Sequence, residues 1–375
     1  MSENIPVFQP SIGVDTIKAV VDAFHVGWLG MGSYTKEFEK KIASFLGLNE
    51  RQVVATNTGT SALHLACIVA GTAPGDEVIT TSFNYAADLQ AINMADGKVV
   101  LCDINEDDLG IDCTKAEQLI TNRTKAIMPL HFAGLPCRIS AVYELARKYN
   151  LRVIEDATHA FGTRVDGKFI GSSGDITCFS FDPVKVITSI DGGAVVVSRP
   201  EDVENLHRLR LLGVDRDTIE RYKNKRAWDY DVVSRGFRYH MTNINASIGI
   251  SQLSRIHEFI SSRQRACKLY NEKLRDVKDL IVPNTDYEGI SPFIYYIRVL
   301  NGKREEVINT LAKNNIASGI HFLPSHRFTF YSNARRSDMS VTERVSREIM
   351  TLPLHSGMKT ETVEHVARVI SEVLT

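Results

Sequence analysis

The chain has 375 residues, a formal net charge of -1 and a hydrophobic fraction of 43%. This composition is typical of a globular protein with one large domain and a smaller one, and its balanced charge gives no electrostatic reason to expect nucleic acid or an anionic membrane as a partner. No apolar run approaches the roughly 18–20 residues of a membrane span, and the N-terminus, MSENIPVFQP, lacks the basic and apolar regions of a signal peptide. The six cysteines are scattered without a CxxC pair, which predicts reduced thiols in a cytoplasmic protein and no metal site.

Between about residues 51 and 200, short β-rich runs alternate with helical stretches. The β-rich runs are EVIT (77–80), KVVL (98–101), KAIMPL (125–130), RVIED (152–156), ITCFSF (176–181) and AVVV (194–197). Between them, SALHLACIVAG (61–71) and ISAVYELARKYN (139–150) have the pattern of helices. The alternation predicts an α/β fold with a mostly parallel sheet that is covered by helices on both faces.

After about residue 240 the pattern changes. Residues 243–277 predict one or two long amphipathic helices. They are followed by a strand-like run (293–300), a helix (304–315), a loop containing HFLPSH (321–326) and two further helices. We therefore expect a large domain over residues 1–250 and a smaller C-terminal α+β domain over residues 251–375.

Four of the predicted strands lead into groups that are suited to chemistry. These groups are the small residues at 57–61, the ring of Tyr85, the carboxylate of Asp156, and the pair Ser180 and Lys185. Open parallel sheets bind ligands at the carboxyl ends of their strands, so these groups are expected to meet. Each also has an ordinary structural explanation, since small residues and carboxylates cap helices and a tyrosine usually packs in a core.

Lys185 lies in an unusually apolar setting, between FSF and VI in the stretch CFSFDPVKVI. Burial penalises the charged form of lysine and lowers its pKa, which is one way to make a nucleophilic amine. A free lysine with a pKa of about 10.4 is neutral in only roughly one molecule in 2,500 at pH 7. Lowering that pKa by about three units, worth about 4 kcal/mol, would remove most of the handicap.

Together, these groups match the requirements of pyridoxal 5'-phosphate. Its phosphate needs a helix N-terminus, its ring an aromatic cover, its pyridine nitrogen a carboxylate and its aldehyde a lysine. We therefore interpret Lys185 as the lysine that bonds to the cofactor. The turn at Gly192 and Gly193 would let the backbone pass close to the cofactor, because glycine has no side chain.

Ordered sequence blocks along nearly the whole chain carry a family resemblance. They are GWLGMGSYTKEFEKKIASFLG (27–47), TNTGTSALHLA (56–66), PGDEVITTSFNYAADLQAI (74–92), TKAIMPLHFAGLPC (124–137), VIEDATHAFGT (153–163), CFSFDPVKVITSIDGGAVV (178–196), GFRYHMTNINASIGISQL (236–253), GIHFLPSH (319–326) and LPLH (352–355). With these blocks, the sequence resembles the DegT/DnrJ/EryC1/StrS aminotransferases, which act mostly on nucleotide-linked keto-sugars.

The resemblance implies a type I aminotransferase fold with a seven-stranded, mostly parallel sheet, and a homodimer whose active sites use both subunits. By motif position, Lys185 would bind the cofactor and move protons, Asp156 would pair with the pyridine nitrogen, and Tyr85 would stack on the ring. The phosphate ligands implied by the same positions are Gly59, Thr60, Ser61 and Ser180.

Two positions depart from the pattern that the family often shows. His159 stands where many members have glutamine, and would meet the phenolic oxygen of the cofactor. His240 stands where some members have asparagine, and would reach the phosphate bound by the partner subunit. His321 and His326, in HFLPSH, are expected either to contact the substrate or to be structural, and we do not expect them to bind a metal.

A basic stretch, RYKNKRAW (221–228), is followed by Arg235 and Arg238. It is explained either by a solvated face or by a clamp for the pyrophosphate of a nucleotide, because charge-assisted contacts suit phosphate.

The lysine also separates two reaction types within the resemblance. A branch of this fold replaces it by histidine and removes a hydroxyl group, so Lys185 favours amino transfer, with glutamate as the implied donor. DPVKVITSIDGG is closer to relatives that aminate C4 than to those that aminate C3. We therefore expect a nucleoside-diphosphate-linked 4-keto-6-deoxy sugar as the acceptor, in amino-sugar or surface-polysaccharide biosynthesis.

Three alternative functions remain open. They are amination of a C3 keto-sugar, amination of a keto-cyclitol, and a regulator that binds the cofactor without turnover. Retention of both Lys185 and Asp156 argues against the regulator.

Overall fold

The computed structural model describes residues 4–215 and 230–374. The basic stretch RYKNKRAW lies outside the described residues, and so nothing in the structure bears on it.

A large sheet carries the N-terminal part of the protein. Its strands in chain order are β1 (Gln52–Thr56), β2 (Glu77–Thr81), β3 (Lys98–Cys102), β4 (Thr124–Met128), β5 (Arg152–Asp156), β8 (Ile176–Ser180), β9 (Gly193–Val197) and β12 (Arg335–Arg336). The spatial order is β1-β9-β8-β5-β4-β2-β3-β12. Within this sheet, β9 runs in the direction opposite to the other seven strands. The predicted mostly parallel sheet is confirmed, with seven five-residue strands and a two-residue eighth strand that comes from the C-terminal part of the chain.

Twelve α-helices lie in the described ranges. They are α1 (Val14–Val26), α2 (Ser33–Leu46), α3 (Gly59–Val69), α4 (Ala86–Met94), α5 (Cys113–Leu119), α6 (Ile139–Tyr149), α7 (Pro200–Leu209), α8 (Asn243–Ser254), α9 (Ile256–Leu274), α10 (Arg304–Lys313), α11 (Ser340–Glu348) and α12 (Thr360–Leu374). The predicted long helical region over residues 243–277 is two helices, which meet at Arg255. None of the described helices is both long and apolar enough to cross a membrane.

The large sheet is buried on both faces because successive side chains of a strand point in opposite directions. Val78 and Leu101 pack with α3, α4 and α7 on one face. Their neighbours Ile79 and Val100 pack with α5 and α6 on the other. Two-sided burial explains why these strands are almost continuously apolar in sequence.

The C-terminal part is built on a second, three-stranded antiparallel sheet. Its strands are β10 (Leu280–Ile281), β11 (Tyr295–Val299) and β13 (Ile349–Leu352), in the order β10-β11-β13. A separate core joins this sheet to α9, α10 and α12. A two-stranded hairpin, β6 (Arg164–Val165) with β7 (Lys168–Phe169), completes the strands of the described residues. The division of the chain at residue 250 stays a prediction.

Three strand ends meet at Gly193 and thereby shape the carboxyl edge of the large sheet. Gly193 pairs with Thr56 of β1 on one side and with Ser180 of β8 on the other. A Cβ atom at Gly193 would lie only 2.3 Å from the carbonyl oxygen of Thr58. Glycine is therefore required here by close backbone approach, which brings the start of α3 next to the end of β8.

We expect Gly193→Ala to destabilise the protein by about 2 kcal/mol, because overpacking at a tight site costs about 1–3 kcal/mol. The measurement is the midpoint of thermal unfolding at equal protein concentration. Gly30→Ala is the matched control, since a Cβ there would meet its nearest atom, on Trp28, at an ordinary 3.5 Å. Equal midpoints for the two variants would contradict the packing seen at Gly193.

Candidate active site

A cavity of about 360 Å³ opens at the carboxyl ends of β1, β5 and β8. Eight of the residues that the sequence predicted for the site line it: Gly59, Thr60, Tyr85, Asp156, His159, Ser180, Lys185 and His321. Three other predicted residues, Ser61, His240 and His326, are not part of its lining.

One end of the cavity is an anion cradle formed by α3 and β8. The amides of Gly59 and Thr60 belong to the first turn of α3, where backbone N–H groups have no intrahelical acceptor. A Cβ atom at Gly59 would lie 2.7 Å from Cβ of Ser180, so glycine permits this helix start to approach the serine. Free amides, a helix N-terminus and the Ser180 hydroxyl together suit a phosphate group.

Ser61 faces away from this cradle because it serves as part of a capping box. Its amide donates to Thr58 Oγ1 at 2.9 Å, and its hydroxyl donates to Asn57 Oδ1 at 2.8 Å. Both donor groups of Ser61 are therefore used within the helix start. The amides of Gly59 and Thr60 are therefore the ones available to an anion, and the predicted phosphate contact of Ser61 stays a prediction.

Lys185 extends into the cavity from the loop after β8. Its Nζ lies 4.1 Å from the ring centroid of Phe293. Burial lowers the pKa of Lys185 to about 8, against the opposing attraction of the Asp156 and Asp182 carboxylates. The direction agrees with the sequence prediction. The apolar ring beside the amine, however, is that of Phe293, which is distant from Lys185 in the sequence.

Asp156 ends β5 and is almost completely buried at 2% exposure. Its Oδ1 accepts a hydrogen bond of 2.9 Å from the backbone N–H of Thr158. The carboxylate thus has a fixed orientation at the cavity wall, and its negative charge favours the protonated form of Lys185.

His159 contributes a buried ring with an unpartnered nitrogen. The ring lies 4.4 Å from that of Phe293 and 5.9 Å from that of Phe322, measured between centroids. Its Nδ1 has no hydrogen-bond partner in the described part of the chain. Burial, and then the nearby Lys185 and His321, hold the pKa of His159 well below its usual value, so the ring is neutral. A neutral imidazole with an unpaired buried nitrogen calls for a polar partner from a ligand.

Tyr85 stands at the mouth of the cavity, where it is 64% exposed. It precedes α4, and its ring centroid lies 6.0 Å from that of Phe322. An aromatic side chain in this place can cover a flat ring that enters the cavity.

The two histidines of HFLPSH have different surroundings. His321 lines the cavity, and its Nδ1 lies 2.8 Å from Thr351 Oγ1. Burial and the charge of Lys185 lower the pKa of His321 to about 4. His326 instead bridges Ser82 Oγ and Glu343 Oε1, each at 2.7 Å. Of the two open explanations for these histidines, His326 fits the structural one.

His240 lies beside β1, where it forms a backbone bridge with Thr56. Its Nδ1 is buried without a partner among the described residues. Burial, followed by the charges of Arg238 and Arg210, lowers its pKa. Arg235 pairs with Asp96 at 3.0 Å. The assignment of His240 to the partner subunit's site stays a prediction.

The lining residues that the sequence did not predict include Phe8, Asn84, Asp88, Phe293 and Phe322. Phe293 and Phe322 are in apolar runs, which have the same pattern whether they fill a core or cover a cavity. Asp88 and Asn84 flank Tyr85 in SFNYAAD, and their polar character in a buried segment was the signal that could have identified them.

The assembled groups fit pyridoxal 5'-phosphate. The cradle suits its phosphate, Asp156 suits its pyridine nitrogen, and the unpaired Nδ1 of His159 offers a partner for a polar ring substituent. Lys185, with its lowered pKa, suits the aldehyde. The cavity volume lies in the range of small-molecule sites.

Comparisons with known proteins agree with this geometry. The sequence profile of the DegT/DnrJ/EryC1/StrS aminotransferase family matches residues 10–371. The GDP-perosamine synthase of Caulobacter vibrioides is 34% identical over 99% of this chain and 98% of its own length. The UDP-4-amino-4-deoxy-L-arabinose–oxoglutarate aminotransferase of Shewanella sediminis is 32% identical over 100% of this chain and 99% of its own.

The fold is also found among solved structures. The PMP form of Spr1654 from Streptococcus pneumoniae superposes with a TM-score of 0.92 at 28% identity, covering 99% of both chains. The same protein in its PLP form covers 100% of both chains with a TM-score of 0.90.

We expect Lys185 to react with a small acylating reagent as an amine of pKa about 8. In cofactor-free protein, labelling measured by mass spectrometry across a pH series should be half-maximal near that pH. Exposed Lys168, in the β6–β7 hairpin, is the internal control, because it lies in solvent away from the cavity and from α1. Parallel labelling curves for the two lysines would contradict the burial of Lys185.

Proposed function

Because the chain belongs to the DegT/DnrJ/EryC1/StrS family of pyridoxal-phosphate-dependent aminotransferases, we propose that it transfers an amino group from glutamate to a nucleoside-diphosphate-linked 4-keto-6-deoxy sugar. The observation that carries this proposal is the meeting of Lys185, Asp156 and the anion cradle in one cavity. The product would serve amino-sugar biosynthesis, including that of surface polysaccharides.

The chain's own residues would hold the cofactor at three points. The amides of Gly59 and Thr60 and the hydroxyl of Ser180 would bind its phosphate. Asp156 would keep the proton on its pyridine nitrogen, and His159 would donate a hydrogen bond to its phenolic oxygen. When bound, pyridoxal phosphate supplies the electron sink on which amino transfer depends.

Lys185 has the properties of a residue that both bonds to the cofactor and moves protons. With a pKa of about 8, about one molecule in ten carries a neutral amine at pH 7. That form can attack a carbonyl carbon and can accept a proton from the amino donor. Phe293 covers the amine and limits the access of water to it.

The proposed substrates draw support from the relatives and from the sequence around the lysine. The Shewanella sediminis relative is named for a 4-amino sugar nucleotide and for oxoglutarate, the keto acid that forms when glutamate gives up its amine. The Caulobacter vibrioides relative is named for a GDP-linked sugar. The DPVKVITSIDGG stretch favours C4 over C3 by its resemblance to relatives that aminate C4.

We further propose that the protein is a homodimer in which each active site uses both subunits. One side of α1 and its flanks is strongly exposed and apolar, at Ile12, Val14, Ile17, Val21, Phe24 and Val26. Contiguous apolar surface of this kind is a mark of a protein interface. Exposed Ile190 adjoins Asp191 of the cavity lining, so a second copy that covers such surface can reach the cavity mouth.

A cytoplasmic location is also part of the proposal, because all six cysteines have free thiols in the structure. Proteins of oxidising compartments commonly pair theirs.

The first test is the visible absorption of the cofactor-loaded protein before and after glutamate is added. The band of the bound cofactor should bleach with glutamate in the wild type and in the control variant Lys168→Ala, which alters a lysine of the β6–β7 hairpin. Lys185→Ala should show no bleaching and no turnover, because the lysine amine that bonds to the cofactor and moves the proton is missing. Bleaching by glutamate in Lys185→Ala would overturn the assignment.

A panel of ketone acceptors completes this test. Amination of the 4-keto-6-deoxy sugar nucleotide, with little turnover of a C3 keto-sugar or a keto-inositol, is the expected result. A wild type whose band ignores glutamate would contradict glutamate as the donor, and a preference for either other ketone would replace the proposed acceptor.

For the dimer, we expect Ile17→Lys to shift the protein toward monomers in sedimentation velocity and to reduce turnover. A buried lysine without a partner disfavours an apolar interface. Ile281→Lys, at an exposed position of β10, makes the same change of residue and charge and should stay dimeric. An unchanged sedimentation coefficient for Ile17→Lys would show that this face is not the interface.

A further inference from the structure

Two buried carboxyl groups lie side by side in the cavity wall. Asp88, in the first turn of α4, is 1% exposed, and Asp156, at the end of β5, is 2% exposed. Both line the cavity, and their side chains are within hydrogen-bonding reach of each other. Two carboxylates can share such a contact only if a proton lies between them.

The surroundings do not compensate two negative charges. Nδ2 of Asn84 donates to Oδ2 of Asp88, and Asp156 accepts from the amide of Thr158. Lys185 is the cation that acts on Asp156. In the described part of the chain no cation acts comparably on Asp88, whose pKa is held well above the usual value by burial and then by the Asp156 charge.

The two thiols and the imidazole nearest to the pair are neutral. Burial raises the pKa of the Cys67 thiol in α3, and the charge of Asp88 adds to this effect. Burial likewise raises the pKa of the Cys178 thiol in β8, and the charges of Asp156 and Asp88 contribute. His64, also in α3, lies toward the far end of α4, where it contacts the carbonyl of Met94, and burial lowers its pKa. The pair therefore sits in an apolar environment, in which one shared proton costs much less than a second negative charge.

A simple capping role does not explain Asp88. Acidic residues in the first turn of a helix normally act as anions toward the helix amides. The partners of Asp88 are instead the side chains of Asn84 and Asp156. Asn84 is held in turn, because its Oδ1 accepts from the amide of Tyr85 at 2.7 Å.

We propose that Asp88 and Asp156 hold one proton between them, and that Asp88 is a positioning residue which donates it to Asp156 and so sets the orientation of that carboxylate. The effect on the cofactor rests on the proposed function, in which Asp156 faces the pyridine nitrogen. A neutral donor behind Asp156 would hold that carboxylate in the orientation in which it meets the ring proton.

The shared proton can be tested without the cofactor. Infrared spectra of cofactor-free protein carrying ¹³C-labelled aspartate should show a protonated carboxyl band at pH 7. Asp88→Asn should lose the intensity of one carboxyl group. Asp112→Asn is the matched control, because Asp112 caps α5 through two backbone amides and asparagine caps equally well. An unchanged band in Asp88→Asn, or no such band in the wild type, would overturn the proposal.

The positioning role is tested by the dissociation constant of the cofactor. Asp88→Ala should weaken binding about tenfold, since it removes a hydrogen bond to a charged group. Asp88→Asn should stay within about threefold of the wild type, because an amide can still donate to Asp156. Thermal unfolding of each variant shows whether it is folded.

Asp156→Asn separates the positioning role of Asp88 from the assignment of Asp156 to the pyridine nitrogen. If Asp156→Asn weakens cofactor binding and Asp88→Ala does not, the role of Asp88 is overturned while the proposed function stands. If neither weakens binding, the assignment of Asp156 to the pyridine nitrogen falls, and the role of Asp88 falls with it. If both weaken binding, and Asp88→Asn does not, the positioning role is supported.

Discussion

The active cavity depends on one backbone-to-backbone contact between the two parts of the chain. Residues 291–293 lie directly on Ala133 and Gly134: the amide of Phe293 donates to the carbonyl of Ala133 at 3.0 Å, and a Cβ at Gly134 would lie 2.3 Å from the carbonyl of Ser291. From the other side, the buried guanidinium of Arg263 donates to the carbonyl of Phe293 at 3.1 Å. These contacts fix the position of the Phe293 ring over Lys185. They thereby maintain the burial that lowers the pKa of Lys185.

Desolvation then acts on three ionisable groups of the cavity in the direction of neutrality. It lowers the pKa of Lys185 and of His159, and it raises that of Asp88. The groups differ because their neighbours differ. The charge of Lys185 is partly compensated by Asp156, whereas His159 faces the cation of Lys185 and Asp88 faces the anion of Asp156. One buried environment thus yields a reactive amine, a neutral imidazole and a protonated acid side by side.

How much of this could be predicted from the sequence depended on the range of the interaction. The sheet and its helices followed from local patterns, because two-sided burial makes each parallel strand continuously apolar. The site residues at strand ends could also be predicted, because topology alone brings the carboxyl ends of parallel strands together. Phe293 could not be, because its position over Lys185 depends on packing between segments more than 100 residues apart in the sequence.

Two of the predicted site residues have local partners that the sequence does not show. Ser61 and Thr60 look equivalent in TNTGTSALHLA, yet the capping box uses both donors of Ser61. His326 and His321 share a short motif, but Glu343 of α11 and Ser82 bind the former. In each case a local partner competes for the side chain, and residue type alone does not show which partner is closer.

The charge of a phosphate bound in the anion cradle bears on the role of a second subunit. A phosphate group carries nearly two negative charges, while the cradle offers amides, one hydroxyl and the positive end of α3. Among the described lining residues, Lys185 is the one lysine or arginine, and in the proposed mechanism its amine is engaged elsewhere. A cation from a second copy would complete the charge balance. His240 lies outside its own cavity, and because burial lowers its pKa, its unpaired Nδ1 could give a partner's phosphate a hydrogen bond but not that charge.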